Sequence, residues 1–267
     1  MFRVYYLPEM SCLDVPMSVI YSIPGFSEPF SSLSHLLSAG VFSLAGLLLL
    51  IRNRGSHGRL YSLGIFIFSV VFLLSMSGVF HLLEPGGDAR NVMRRLDHAA
   101  IFILIAGSFT PMHTLLFRDW RRWSILAIVW VIAITSISLK TIFFNDFPEW
   151  IGLTLYLSMG WIGAVSAILI FQLHGWRHIF PLVAGAIAYT IGAVLDFLKM
   201  PVLIEGVIGP HELFHVFVLF GIGFHWLQVV RIADDHRKGV LVTQRNGAET
   251  TGRTPAIDLT RIADEPI

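Results

Sequence analysis

Long apolar runs broken by short polar hinges set the pattern of this chain. A helix needs about 20 mainly apolar residues to cross a bilayer. Seven stretches meet that length, at 30–51, 60–83, 96–117, 123–144, 150–173, 178–199 and 211–233. The hinges between them are RNRGSHGR, EPGGDARNVMRR, RDWRR, NDFPE, LHGWR and PVLIEGVIGP, most of them punctuated by Gly or Pro, as helix breaks are. The pattern predicts an all-α membrane protein, a bundle of seven transmembrane helices over residues 30–233. Residues 1–29 read as an extramembrane N-terminal segment. Pro8, Glu9, Asp14 and Pro16 interrupt any apolar core of a signal peptide there. After residue 233 hydropathy collapses, and 234–267 reads as a disordered polar tail.

Composition supports a lipid environment. Hydrophobic residues make up 55% of the 267 and charged residues 14%, against about 25% charged in soluble domains. A chain so poor in charge cannot cover a water-facing surface. The net charge of +1 argues against a nucleic-acid partner. The single cysteine excludes an intrachain disulfide. Lys and Arg divide unequally between the two membrane faces. The face holding the N-terminus and the even hinges carries six, and the face holding the odd hinges and the C-terminal tail carries thirteen. The excess predicts a cytoplasmic C-terminus.

Ionisable residues inside membrane helices cost roughly 2.5–3.5 kcal/mol each at mid-helix on insertion scales, so each needs a reason. Here they are His35, His81, Asp97, His98, Asp196, His211, Glu212, His215 and His225. In a seven-pass chain, the end of the second helix and the starts of the third and seventh share one face. His81, Asp97 and His211 should therefore lie at similar depth. His211 and His215, in HELFH, are spaced i, i+4, which places both imidazoles on one helix face, a spacing suited to two ligands of one zinc ion. HELFH has the letters of the metalloprotease HExxH pattern, with Glu212 immediately after the first His, but Glu212 is not expected to act as a base, because Asp97 offers another carboxylate.

Ser77 stands one turn before His81, facing the same interior. It could orient a ligand or simply bond its own helix backbone. Three neutral imidazoles with an open position would make a catalytic rather than a closed zinc site. The metal would lower the pKa of its bound water toward roughly 7, and Asp97 could accept that proton. The alternative for Asp97 is an ion pair with Arg94 or Arg95. His35 could be a core histidine hydrogen-bonded across helices. His98 could face a different neighbour. His225, roughly 15 Å deeper than His215, should line the interior. Asp196 should pair with Lys199 or a polar group of the seventh helix.

SGVFH at 77–81, RLDHAAIFILIAGSFTP at 95–111 and HELFHVFVLFGIGFH at 211–225, with Glu28 seven residues before His35, resemble the hemolysin III and progestin/adipoQ receptor family. The resemblance runs from about residue 28 to 230. It implies zinc held by His81, His211 and His215, with Asp97 and Ser77 at the positions that hold the zinc-bound water. Ser31 stands where the family's first-helix motif has Asn, and no role is carried over to it. The wider superfamily includes alkaline ceramidases, which implies an intramembrane lipid amide hydrolase with a membrane lipid as substrate. The chain resembles the shorter, often bacterial, hemolysin III branch, which implies residence in a bacterial-type inner membrane. Two other readings stand beside this one: a membrane sensor or regulator with structural zinc and a bound lipid, and a pore-forming lysin. The lysin lacks an amphipathic insertion segment.

Overall fold

The computed structural model describes residues 20–144 and 148–239. Among the described residues there are seven long helices: α1 (Pro29–Arg52), α2 (His57–Leu82), α3 (Asp88–Leu116), α4 (Asp119–Ile142), α5 (Glu149–His174), α6 (Trp176–Leu198) and α7 (Pro210–Arg237). All seven contain a segment long and apolar enough to cross a membrane. The protein is a seven-helix membrane bundle.

Several helices outrun their hydropathy, α3 and α7 most tellingly. α3 begins at Asp88, eight residues before the expected start at 96, so most of the second hinge is helix. Hydropathy registers only the apolar part of such a helix. Asp88 in the first turn suits the positive end of the helix dipole. α7 continues to Arg237, beyond the expected end at 233. Its polar last turn is tied down by Asp234 to Arg52 of α1 at 2.9 Å and by Asp235 to His178 of α6 at 2.9 Å. The rest of the expected tail, 240–267, and residues 1–19 of the expected N-terminal segment lie outside the described residues.

Consecutive helices pack side by side, and α7 returns to α1. α3 is the central helix, touching α2, α4, α5 and α7. Of its apolar window 78% is buried, against 22–50% for the other six. The sequence of α3 allows this. Ala99, Ala100, Ala106, Gly107 and Ser108 are all buried, and small residues let neighbouring membrane helices approach closely. Polar ties cross at its far half. Ser62 and Thr114 share a hydrogen bond of 2.6 Å, Trp130 Nε1 donates to Thr110 Oγ1 at 3.2 Å, and His113 Nε2 meets Ser166 Oγ at 2.9 Å.

Lipid-facing surfaces are apolar. On α1, Leu37, Val41, Leu44 and Leu48 recur at helical spacing and are exposed. Exposed Trp120, Trp123, Trp150 and Trp176 stand at helix starts, where the amphipathic indole suits the membrane–water boundary. Gly175 alone separates α5 from α6, at a φ of +73° that favours glycine.

Two close approaches position the helix ends that carry the clustered histidines. A Cβ on Gly78 of α2 would lie 2.7 Å from Leu36 Cγ, so α1 sits directly against α2 one turn from His81. A Cβ on Gly192 of α6 would lie 2.7 Å from Phe217 Cβ, which brings the end of α6 onto the start of α7.

Candidate metal centre

Three histidines converge where the C-terminal end of α2 meets the N-terminal end of α7. One ring nitrogen from each of His81, His211 and His215 lies within 4.8 Å of the others. Ring centroids are separated by 5.0 Å for His81–His211, 4.7 Å for His81–His215 and 4.6 Å for His211–His215. His81 and His215 are buried, while the His211 side chain is 40% exposed, so the cluster is accessible from the His211 side.

Local chemistry explains the ends of the helices that carry these residues. α2 stops before Pro85-Gly86-Gly87, a sequence that cannot extend it. The carbonyls of its last turn would otherwise be orphaned. They accept the N–H of Ser27 to Leu82 O at 3.2 Å and of Glu28 to His81 O at 3.0 Å. α7 opens with Pro210 at its first turn, and Glu212 Oε2 accepts the Gly209 N–H at 3.0 Å. The other oxygen of Glu212 accepts Ser31 Oγ–H from α1 at 3.1 Å, with both residues buried. Glu212 is thus a brace between α1 and α7 with both oxygens engaged.

Carboxylates flank two of the histidines. Glu28 contacts Nδ1 of His81 and also takes the guanidinium of Arg90, which in turn donates to Leu83 O. Burial pushes the Glu28 carboxyl up. The hydrogen bond from His81 and the neighbouring guanidinium of Arg90 outweigh this and hold it at about 2. Asp196 Oδ1 lies 3.2 Å from His211 Nδ1 and 3.7 Å from Lys199 Nζ, so both partners expected for Asp196 are present. His215 has a different neighbour. His35 of α1 stacks on it at 4.0 Å between centroids and 9° between planes. This stacking is the contact by which His35 reaches across to α7.

Zinc fits this donor set. Tetrahedral zinc bound at about 2.0–2.1 Å keeps two ligand nitrogens about 3.3–3.4 Å apart. The Nε2 atoms of His81 and His211 are 3.3 Å apart. Three neutral nitrogen ligands also match zinc's preference for imidazole.

Of the other expected site residues, Ser77 is buried on α2, one turn before His81. Asp97 lies outside the three-histidine group. Its carboxylate is 3.8 Å from His98 Nδ1, which donates to Arg94 O at 2.8 Å. Arg94 and Arg95, the alternative partners for Asp97, lie over the Phe144 ring at 4.7 and 5.5 Å. His225 lies inside the α6–α7 contact, edge-on to Tyr189 at 5.3 Å. Sequence reasoning assigned no role to Glu28 and did not foresee the stacking of His35. The one available signal was their seven-residue spacing, two helical turns, at the start of α1.

Seven apolar helices with a histidine cluster between the second and the seventh define a polytopic membrane protein with a candidate intramembrane metal centre. Comparison with known proteins gives the family. The model of the family described as "Haemolysin-III related" matches residues 26–226, and the chain belongs to this hemolysin III/progestin and adipoQ receptor family. It is 29% identical over 199 residues to Hemolysin-3 of Bacillus cereus, covering 73% of this chain and 86% of that one. It is 27% identical over 180 residues to the Hemolysin-3 homolog of Bacillus subtilis (strain 168), covering 67% and 80%.

Proposed function

We propose that this protein is a zinc-dependent hydrolase of a lipid amide, working within the membrane. The observation that carries the reading is the convergence of three imidazoles, two of them with Nε2 atoms spaced as ligands of one tetrahedral ion. His81, His211 and His215 would hold the ion. When bound, zinc supplies a Lewis acid that polarises a carbonyl and acidifies water.

The chain's own residues supply the rest. The exposed flank at His211 admits the polar linkage of a lipid, while the apolar helices around it accept the acyl chain. Ser77 offers a hydroxyl beside His81 to orient the attacking water. In the net reaction water adds to the amide carbonyl, the C–N bond breaks, and one proton must pass from water to the departing amine. Asp97 is assigned that transfer as general base and then general acid. The excess of Lys and Arg on the face of the odd hinges and the tail supports a cytoplasmic C-terminus in a bacterial inner membrane. A second reading, a sensor with structural zinc and a bound lipid, draws on the burial of His81 and His215.

Metal content of the detergent-purified protein, wild type beside His211→Ala, tests the centre. About one zinc per chain, lost in the variant, is expected. A folded wild type that takes up no zinc even after supplementation would overturn the metallohydrolase. With zinc established, Asp97→Ala should keep the metal and lose amide hydrolysis. Zinc without hydrolysis of any lipid amide by the wild type would favour the sensor.

A further inference from the structure

A neutral imidazole carries one proton on two nitrogens, and the partner of one nitrogen decides which of them is left as a ligand. At His81 and His211 the same arrangement appears twice, built from different helices. Glu28, at the start of α1, contacts Nδ1 of His81 on α2, and Asp196, at the end of α6, lies 3.2 Å from Nδ1 of His211 on α7. The two Nε2 atoms turn toward each other at 3.3 Å. With a proton on each Nδ1, two lone pairs face one another at that separation, a repulsive arrangement unless a cation lies between them.

We propose that Glu28 and Asp196 are positioning residues that accept the Nδ1–H of His81 and His211, fix the tautomer with Nε2 free, and aim both Nε2 atoms at one metal ion. This rests on the three histidines being a metal centre. Arg90 is the third member of the device. It binds Glu28 and the carbonyl of Leu83, so the carboxylate is locked to the end of α2 as well as to α3. The backbone bonds from Ser27 and Glu28 to the last carbonyls of α2 fix the same residue from the other side. Asp196 is held more loosely. Its second cationic neighbour is Lys199 at 3.7 Å, and its side chain is 27% exposed. His215 has no such carboxylate. Its Nδ1 is unpartnered, and its ring is set by stacking on His35. Carboxylates that orient ligand imidazoles in this way typically change metal affinity by about 10–100-fold when lost.

The test compares wild type, Glu28→Gln and Asp196→Asn, each as the full-length protein in detergent. Zinc affinity is measured by chelator competition, the metal-free melting temperature is recorded, and 15N NMR reads the ring nitrogens of His81 and His211. The expected result is an Nδ1–H tautomer at both residues in the wild type and a loss of zinc affinity of about 10–100-fold in each variant, with metal-free melting near that of the wild type. Wild-type zinc affinity in both variants would overturn the positioning role and leave the metal centre standing. Lower metal-free melting with unchanged affinity would reduce the carboxylates to braces and overturn it too. If Glu28→Gln fails to fold because Arg90 is left unpaired, Asp196→Asn, at the more exposed position, decides alone. A folded wild type that binds no zinc would overturn both this inference and the metal centre beneath it.

Discussion

Two glycines on α7, two residues apart, should respond oppositely to the same change. A Cβ on Gly221 would sit 2.5 Å from Cε1 and Cζ of Tyr189 on α6. A Cβ on Gly223 would meet nothing within 4 Å. Carbon atoms rest at about 3.5–4.0 Å, so Gly221→Ala forces the Tyr189 ring back by about 1 Å. That ring is wedged edge-on against His225 and cannot swing free as a flexible side chain would. Overpacking of this kind costs about 1–3 kcal/mol. Replacing a helical glycine by alanine returns about 0.5–1 kcal/mol. Taken at mid-range, the balance for Gly221→Ala is a loss of about 1 kcal/mol, while Gly223→Ala keeps only the gain. At about 2–4 °C per kcal/mol, Gly221→Ala should melt roughly 2–4 °C lower than wild type, with Gly223→Ala at or above it. Thermal unfolding in detergent, followed by tryptophan fluorescence, reads the difference. The same pair of helices carries Asp196 to His211 further along, so the destabilised variant should also bind zinc more weakly. Equal melting of the two variants, or Gly221→Ala at or above wild type, would refute the close α6–α7 packing.

The remaining expectations concern the centre itself. Ser31→Ala removes the hydroxyl that donates to Glu212 Oε1 and leaves a buried carboxylate oxygen short of a partner, a loss of about 1.5–3 kcal/mol for a charged acceptor. It should therefore lower the melting temperature while keeping about one zinc per chain, and melting at the wild-type temperature would remove Ser31 as the tie between α1 and α7. His211→Ala should lose the metal, Asp97→Ala should keep the metal and lose turnover, and Glu28→Gln should weaken zinc without unfolding the metal-free protein.

Residue chemistry along the chain reached a good part of the site. The i, i+4 spacing of His211 and His215 fixes their common face on any helix, whatever surrounds it. Counting spans was enough to place His81 on the same side, and the structure brings all three together. Span counting gives Asp97 a depth but no direction around α3, and packing sets its carboxylate 3.8 Å from His98 Nδ1. Glu28 shows the converse. It stands just before the first apolar run, seven residues ahead of His35, where nothing in the neighbouring sequence gives it a partner. Its importance comes from Arg90 and His81, residues 62 and 53 positions away.

Hydropathy and helical period alone account for the seven helices, the common membrane face on which the histidines gather and the pairing of two of them on one side of α7. These are properties of neighbours in the chain. Tertiary packing was needed to make α3 central, to close α6 and α7 on glycine, to stack His35 on His215, and to set Glu28 and Asp196 behind His81 and His211. Each of these depends on how helices far apart in sequence rotate and approach one another. That is set by the packing of small and large side chains across every contact at once, and no local stretch of the chain contains it.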